Sequence, residues 1–410
     1  MLIGNAVVGQ SGGPTSAINA TLSGVIKGCA KAHRDGVIKT LYGMKNGIEG
    51  FLKEDIRDLG ERFFDDEWLS TLEVTPAAAL GSCRRKLKSH EADSETYEKI
   101  FEILKKYDIR YFFYIGGNDS MDTVLKLSEY AKNHDYELRV VGIPKTIDND
   151  LMITDHTPGF GSAAKFVATT VKEILADVNV YTVKAVTIVE IMGRDAGWLT
   201  ASAALPGLTG AAPDLIYLPE RTFDTEEFIS SVKEAMEKHP AVLVCASEGI
   251  RFADGEYVGS GGQSGAVDAF GHKYLSGTGK VLESIVKERI GCKVRSIELS
   301  LPQRCAAHIA SGTDIEESVG VGMAGVASAV SGKTGVMATI DRAEGENYSV
   351  SYGTFDISKI ANEIKTVPAD YINEAGNGLT EKCLDYLKPL IMGQTEVKYE
   401  LGLPKHVIID

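Results

Sequence analysis

Nine short apolar runs punctuate the chain, and amphipathic stretches at helical spacing lie between them; this alternation constrains the fold more than any other feature. The runs are NAVVGQ (5–10), VIKTLYG (37–43), RYFFYIG (110–116), RVVGI (139–143), KAVTIVEI (184–191), DLIYLP (214–219), AVLVCAS (241–247), VRSIEL (294–299) and GVMATI (335–340). In DSMDTVLKLSEYAKNH (119–134), Met121, Val124 and Leu125 keep the i, i+3, i+4 spacing of a helix face. Strands alternating with helices predict an α/β fold of mainly parallel sheets covered on both faces. A chain of 410 residues is long enough for two packed lobes. In such sheets ligands bind beyond the carboxyl ends of the strands, so the loops after the runs are the candidate site.

Composition narrows the ligand. A formal charge of −14 disfavours nucleic acid or an anionic membrane as partner, so an anionic substrate needs local cations. The 43 glycines show no repeating period and are therefore used locally, in turns and close approaches. Six cysteines without a CxxC spacing, and the absence of HExxH, fit a reduced, cytoplasmic chain without structural zinc. MLIGNAVVGQSGG lacks the basic start of a signal peptide. AGWLTASAALPGLTGAAP (196–213) has the length of a membrane span, but Pro206, Gly207 and Gly210 interrupt it, which predicts a buried helix and a loop.

The loops share one chemistry. GQSGGPTSAINATLSG (9–24) follows the first run; Gly12 and Gly13 allow backbone to approach a phosphate, with the next helix offering its N–H groups, although a plain tight turn explains the stretch equally. GGNDSMD (116–122) again pairs glycines, and Asp119 or Ser120 is placed to cap the helix behind. GSCRRK (81–86) carries two arginines, whose guanidinium forks match phosphate oxygens, or else form an exposed basic turn. EIMGRDAGW (190–198) sets Gly-Arg at a strand end, CASEGIR (245–251) ends a strand on Glu248, and KVRSIELSLPQRCAAH (293–308) carries Arg295 and Arg304.

PKTIDND (144–150) is the densest of these loops. Lys145 stands three places before Asp148, and Asp148 and Asp150 lie two apart, facing one side if the segment is extended. One carboxylate can take a proton from a hydroxyl while the other helps to hold a metal ion. Glycines, arginines and few carboxylates at successive strand ends point to phosphate recognition beside a polyhydroxyl ligand.

Taken together, SGGPTSAINA, GGNDS, PKTIDND, MGRDAGW, SEG and the late QR resemble the phosphofructokinase family over nearly the whole chain. The resemblance implies two Rossmann-like lobes, about 1–155 with 304–360 for the donor phosphates and about 156–303 with 361–410 for the sugar phosphate. It implies phosphoryl transfer to the 1-hydroxyl of fructose 6-phosphate with Mg2+ in a homodimer or homotetramer. Residue by residue, it places Gly12, Gly13, Gly117, Asn118, Asp119, Ser120 and Lys145 at the donor, and Arg84 between donor and sugar. Thr146 would touch the transferring phosphoryl, Asp148 would be the base, and Asp150 with Asn118 would support the metal. Met192, Gly193, Arg194, Glu248, Arg295 and Arg304 would hold the sugar phosphate, with Arg295 reaching in from a neighbouring subunit.

Asp119 and Lys145 stand where ATP-using members carry glycine, and so resemble the class whose donor is pyrophosphate. The physics agrees: a carboxylate about 4 Å from an α-phosphate charge costs roughly 4 kcal/mol at an effective dielectric near 20. An ATP-dependent enzyme and a catalytically silent sugar-phosphate-binding subunit are the alternative readings. Asn118 replaces an acidic residue common near the metal, Leu301 replaces a histidine, and Lys184 and Ala185 occupy the region of a second arginine. The 6-phosphate pocket is thus open to a longer sugar phosphate such as sedoheptulose 7-phosphate.

Overall fold

The computed structural model describes residues 2–262, 277–345, 347–359 and 364–410. Its principal strands are β1 (Gly4–Gln10), β2 (Ile38–Met44), β3 (Ile56–Asp58), β4 (Ile109–Gly116), β5 (Arg139–Pro144), β6 (Ala185–Ile191), β7 (Leu215–Tyr217), β8 (Ala241–Ser247), β9 (Lys293–Glu298), β10 (Val336–Arg342) and β11 (Val350–Asp356). They form a large sheet ordered β11-β10-β5-β4-β1-β2-β3 and a small one ordered β7-β8-β6-β9. All nine apolar runs are strands. β3 and β11, which the runs do not include, pair antiparallel at the two edges of the large sheet, while the interior pairs are parallel. Edge strands need only one buried face, so their apolar signal is thin: β3 is IRD, and the residues of VSYGTFD are exposed or half-buried.

The central strands read as continuous apolar runs because helices bury both faces: apart from Asn5 and Arg110, β1 and β4 are buried throughout. On one face the helices Ile18–Arg34 and Gly312–Val330 pack backbone to backbone. A Cβ on Gly24 would meet the Val319 carbonyl at 2.2 Å, and one on Gly322 would meet the Thr21 carbonyl at 2.4 Å. The stretch 196–213 is a single α turn, Trp198–Ala201, running into a 3-10 helix, Ser202–Thr209, with Pro206 inside it. Among the described residues no helix is long and apolar enough to cross a membrane.

The strand order positions the site. β1 lies between β4 and β2, so the chain leaves it in both directions, and the crevice of a doubly wound sheet opens at that reversal. The loops after β1, β4 and β5 share this edge. In the small sheet β6 lies between β8 and β9, so the loops after these three strands meet in the same way.

Candidate active site

The loop after β1 is held open by backbone geometry. Gly12 has φ +78°, a left-handed conformation that suits glycine. Its N–H donates to the Cys83 carbonyl at 3.1 Å, and Ser82 Oγ donates to the Gly12 carbonyl at 2.6 Å. The GSCRRK segment therefore forms the opposite wall. Arg85 turns out to Thr96 Oγ1 at 3.3 Å, while Arg84 is close enough that its charge acts on Lys145 and Arg304.

After β4, Gly117 is the N-cap of the helix Asn118–Asn133, and among the described residues no side chain caps it. The expected cap by Asp119 or Ser120 is thus corrected: Gly117 holds the N-cap position, and both residues lie inside the first turn. Ser120 is buried. Asp119 Oδ1 instead accepts from Lys86 Nζ at 3.0 Å across the mouth of the loop.

Lys145 leaves β5 with its backbone N–H on the Gly116 carbonyl at 2.9 Å and its Nζ donating to the Gly13 carbonyl at 2.5 Å. It is 2 % exposed, and burial pushes its pKa down to about 8, with Asp148 and Asp150 opposing the shift. Lys145 thus joins the loops after β1, β4 and β5, through its ammonium to the first and its backbone N–H to the second.

The next residues do not run extended. Asn149 has φ +53°, and the segment bends there, so Asp148 and Asp150 approach through a turn rather than through strand alternation. Thr146 Oγ1 accepts from the Asp148 N–H at 3.1 Å and lies 3.5 Å from Asp148 Oδ2. Burial raises the Asp148 pKa; the Lys145 and Arg194 charges pull it down. Asp150 is pushed up to about 7 by burial and by the Asp148 charge beside it. The pair is a basic, partly desolvated carboxylate site, suited to accepting a proton.

From the small sheet, the Gly193 N–H donates to Glu248 Oε1 at 3.2 Å, and the Met192 N–H donates to Gln303 Oε1 at 3.1 Å. Gly249 packs directly on the Arg194 carbonyl, which a Cβ would meet at 1.9 Å. Among the described residues the Arg194 Nε is buried without a hydrogen-bond partner. Glu248 is raised to about 7, first by burial. Arg304 places a guanidinium nitrogen 3.5 Å from where a Gly13 Cβ would stand, beside the loop after β1. Arg295 is exposed on β9, the open edge of the small sheet.

Four cations, Lys145, Arg84, Arg194 and Arg304, and a glycine-lined cradle thus gather around two neighbouring carboxylates, an arrangement that can hold a polyphosphate and deprotonate a hydroxyl in front of it. Among the described residues no three His, Cys, Asp or Glu side chains form a metal cage. Asp150, whose negative charge burial disfavours, fits a divalent cation held by one carboxylate and substrate phosphates. Sequence reasoning missed Gln303, which is 1 % exposed and bonds the Met192 backbone, and Lys86. The QR and GSCRRK motifs contain both, but only folding shows which neighbour each one meets.

A phosphofructokinase family model matches residues 5–324, and the chain belongs to the phosphofructokinase family. Within it, the chain is 43% identical over 411 residues to pyrophosphate--fructose 6-phosphate 1-phosphotransferase of Xanthomonas campestris pv. campestris, covering 99% of this chain and 96% of that one. It is 41% identical over 404 residues to the enzyme of that name from Halomonas elongata, covering 98% and 95%. The crystal structure of pyrophosphate-dependent phosphofructokinase from Nitrosospira multiformis superposes with a TM-score of 0.88 at 39% identity, over 98% of this chain and 95% of that one.

Proposed function

We propose that this chain transfers a phosphoryl group reversibly from pyrophosphate to the 1-hydroxyl of fructose 6-phosphate, giving fructose 1,6-bisphosphate and phosphate. The observation that carries the reading is the Lys145 ammonium, buried against the Gly13 carbonyl in the loop that also bears Thr146 and Asp148. It puts a fixed positive charge where a short donor has no further phosphate to bind.

In the forward direction Asp148 takes the proton of the sugar 1-hydroxyl as its oxygen bonds to the phosphorus. The bond from phosphorus to the bridging oxygen breaks, and inorganic phosphate leaves toward Lys145, Arg84, Gly12 and Gly13. Thr146 Oγ1 donates to the transferring phosphoryl. Gly117, Asn118, Asp119 and Ser120 line the donor side. Asp150, with Asn118, would hold Mg2+, which would neutralise charge on the donor phosphates. Met192, Gly193, Arg194 and Glu248 hold the sugar. Arg304 and a partner subunit's copy of Arg295 take its 6-phosphate.

The exposed Arg295 on β9, an edge strand among the described residues, supports an oligomer, a homodimer or homotetramer in which that edge meets a second subunit. We assign 1–155 with 304–360 to the donor lobe and 156–303 with 361–410 to the sugar lobe, although Val407 and Ile409 return to the large-sheet core. Six unpaired cysteines suit a cytoplasmic setting. Initial rates with fructose 6-phosphate and Mg2+, using pyrophosphate or ATP at matched concentrations, test the reading: a pyrophosphate rate well above the ATP rate supports it, and the reverse order overturns it.

A further inference from the structure

The segment Ile364–Val367 ties the catalytic loop to the sugar-side loop, and Lys365 is its joint. Ile364 bridges Leu151, and the Lys365 N–H donates to the Asp150 carbonyl at 2.9 Å. The Lys365 ammonium donates to Asn149 Oδ1 at 3.1 Å, the Thr154 carbonyl at 3.3 Å and the Asp155 carbonyl at 2.6 Å. All three ammonium protons are used, on acceptors at both ends of the bend that carries Asp150.

On the other side, Trp198 Nε1 donates to the Lys365 carbonyl at 2.8 Å, and Lys365 Nζ lies 5.3 Å from the centroid of the Trp198 ring. Glu220 Oε1 accepts from both the Val367 N–H, at 2.9 Å, and the Gly197 N–H, at 2.8 Å. Gly197 and Trp198 close the loop that begins with Met192, Gly193 and Arg194. No side chain of this strap lies among the donor or sugar ligands, yet it contacts both loops that supply them.

We infer that Lys365 is a positioning residue: it fixes the bend at Asn149 and couples the Asp148 loop to the Arg194 loop, so that base and sugar ligands hold one register during transfer. This rests on Asp148 being the base. The lysine type matters because a compact ammonium satisfies three converging oxygens that neither a thioether nor a planar guanidinium can match together. Loosening this joint should misplace the base by a fraction of an ångström while leaving the phosphate cations where they are, and small misplacement costs turnover more than affinity.

The test compares full-length wild type, Lys365→Met, Trp198→Phe and Asp148→Asn by steady-state kinetics, with folding checked by circular dichroism and thermal melting. The expected result for Lys365→Met is a fall in kcat of roughly 10- to 100-fold, with KM for pyrophosphate and fructose 6-phosphate each within about threefold of wild type. Trp198→Phe, which removes one hydrogen bond and keeps an aromatic ring, should show a smaller fall with the same split. Wild-type kcat in Lys365→Met, or a loss carried by KM alone, overturns the inference; if that variant does not fold, Trp198→Phe decides by the same criterion. Normal turnover in Asp148→Asn removes the base and the inference together, whereas an inactive Asp148→Asn beside a fully active Lys365→Met removes the inference alone.

Discussion

Lys86 Nζ and Asp119 Oδ1 stand 3.0 Å apart across the mouth of the donor loop. The pairing bears on the proposed role of Asp119 in donor choice. Part of its charge is met by the lysine, so the roughly 4 kcal/mol expected for a bare carboxylate beside an α-phosphate is an upper limit. What remains is steric: side chains now occupy space that a glycine would leave to a nucleotide. Both partners are partly exposed, and such pairs are worth about 1 kcal/mol or less. Lys86→Met should therefore shift kcat/KM for pyrophosphate by less than about fivefold. Asp119→Gly with Lys145→Gly should weaken pyrophosphate use by at least about tenfold and admit measurable ATP use, since one lost charge-assisted contact is worth about 1.5–3 kcal/mol. Flat kinetics with both donors in the double variant would refute this account of selectivity.

Asp148→Asn keeps the size of the side chain and the Thr146 contact but cannot accept the sugar proton. Turnover should fall by about 10²–10⁴-fold while calorimetry still detects fructose 6-phosphate binding. Retained binding with lost turnover separates the proton-accepting role from a folding defect.

Most of this site was legible in the chain because its parts follow strand ends, and strand ends carry glycine, lysine and arginine in recognisable order. What escaped was geometry set by distant contacts. PKTIDND reads as extended, yet Asn149 adopts φ +53°, and Lys365, 216 residues away in sequence, donates to Asn149 Oδ1 at that bend. Asp119 reads as a cap, but Gly117 takes the cap position and frees Asp119 for Lys86. β3 and β11 escaped for a different reason: edge strands bury too little apolar surface to announce themselves.

If Arg295 crosses to a partner's site, each complete site draws on two chains. Arg295→Ala should then raise KM for fructose 6-phosphate by about tenfold or more, with KM for pyrophosphate little changed, as loss of a charged phosphate contact predicts. Asp148→Asn and Arg295→Ala chains, dissociated and reassembled together, should recover activity that neither has alone, because some sites then combine an intact Asp148 with an intact partner arginine. Mixed assemblies no more active than the sum of the parents would place Arg295 in its own chain's site or outside any site.

Lys145 links pH, stability and donor binding with a definite sign. Burial lowers its pKa from 10.5 to about 8, so the folded chain gives up this proton more readily than the unfolded chain does. The cost of burying the charge is therefore fully present below about 8, shrinks as pH rises from 8 toward 10.5, and is gone above that range. With Lys145 as the proposed donor ligand, pyrophosphate binds the charged form, so KM for pyrophosphate should rise as pH increases through about 8. Lys145→Arg stays charged across this range and should remove that rise, which separates the lysine from titration of pyrophosphate itself. Lys145→Met removes the buried charge; without ligand it should melt above wild type at pH 7 while using pyrophosphate poorly, and the melting difference should narrow as pH rises from 8 toward 10.5. Thermal melts across that range, with and without pyrophosphate, check both signs: a lower melting point for Lys145→Met at pH 7 would mean that the bond to the Gly13 carbonyl outweighs the cost of the buried charge.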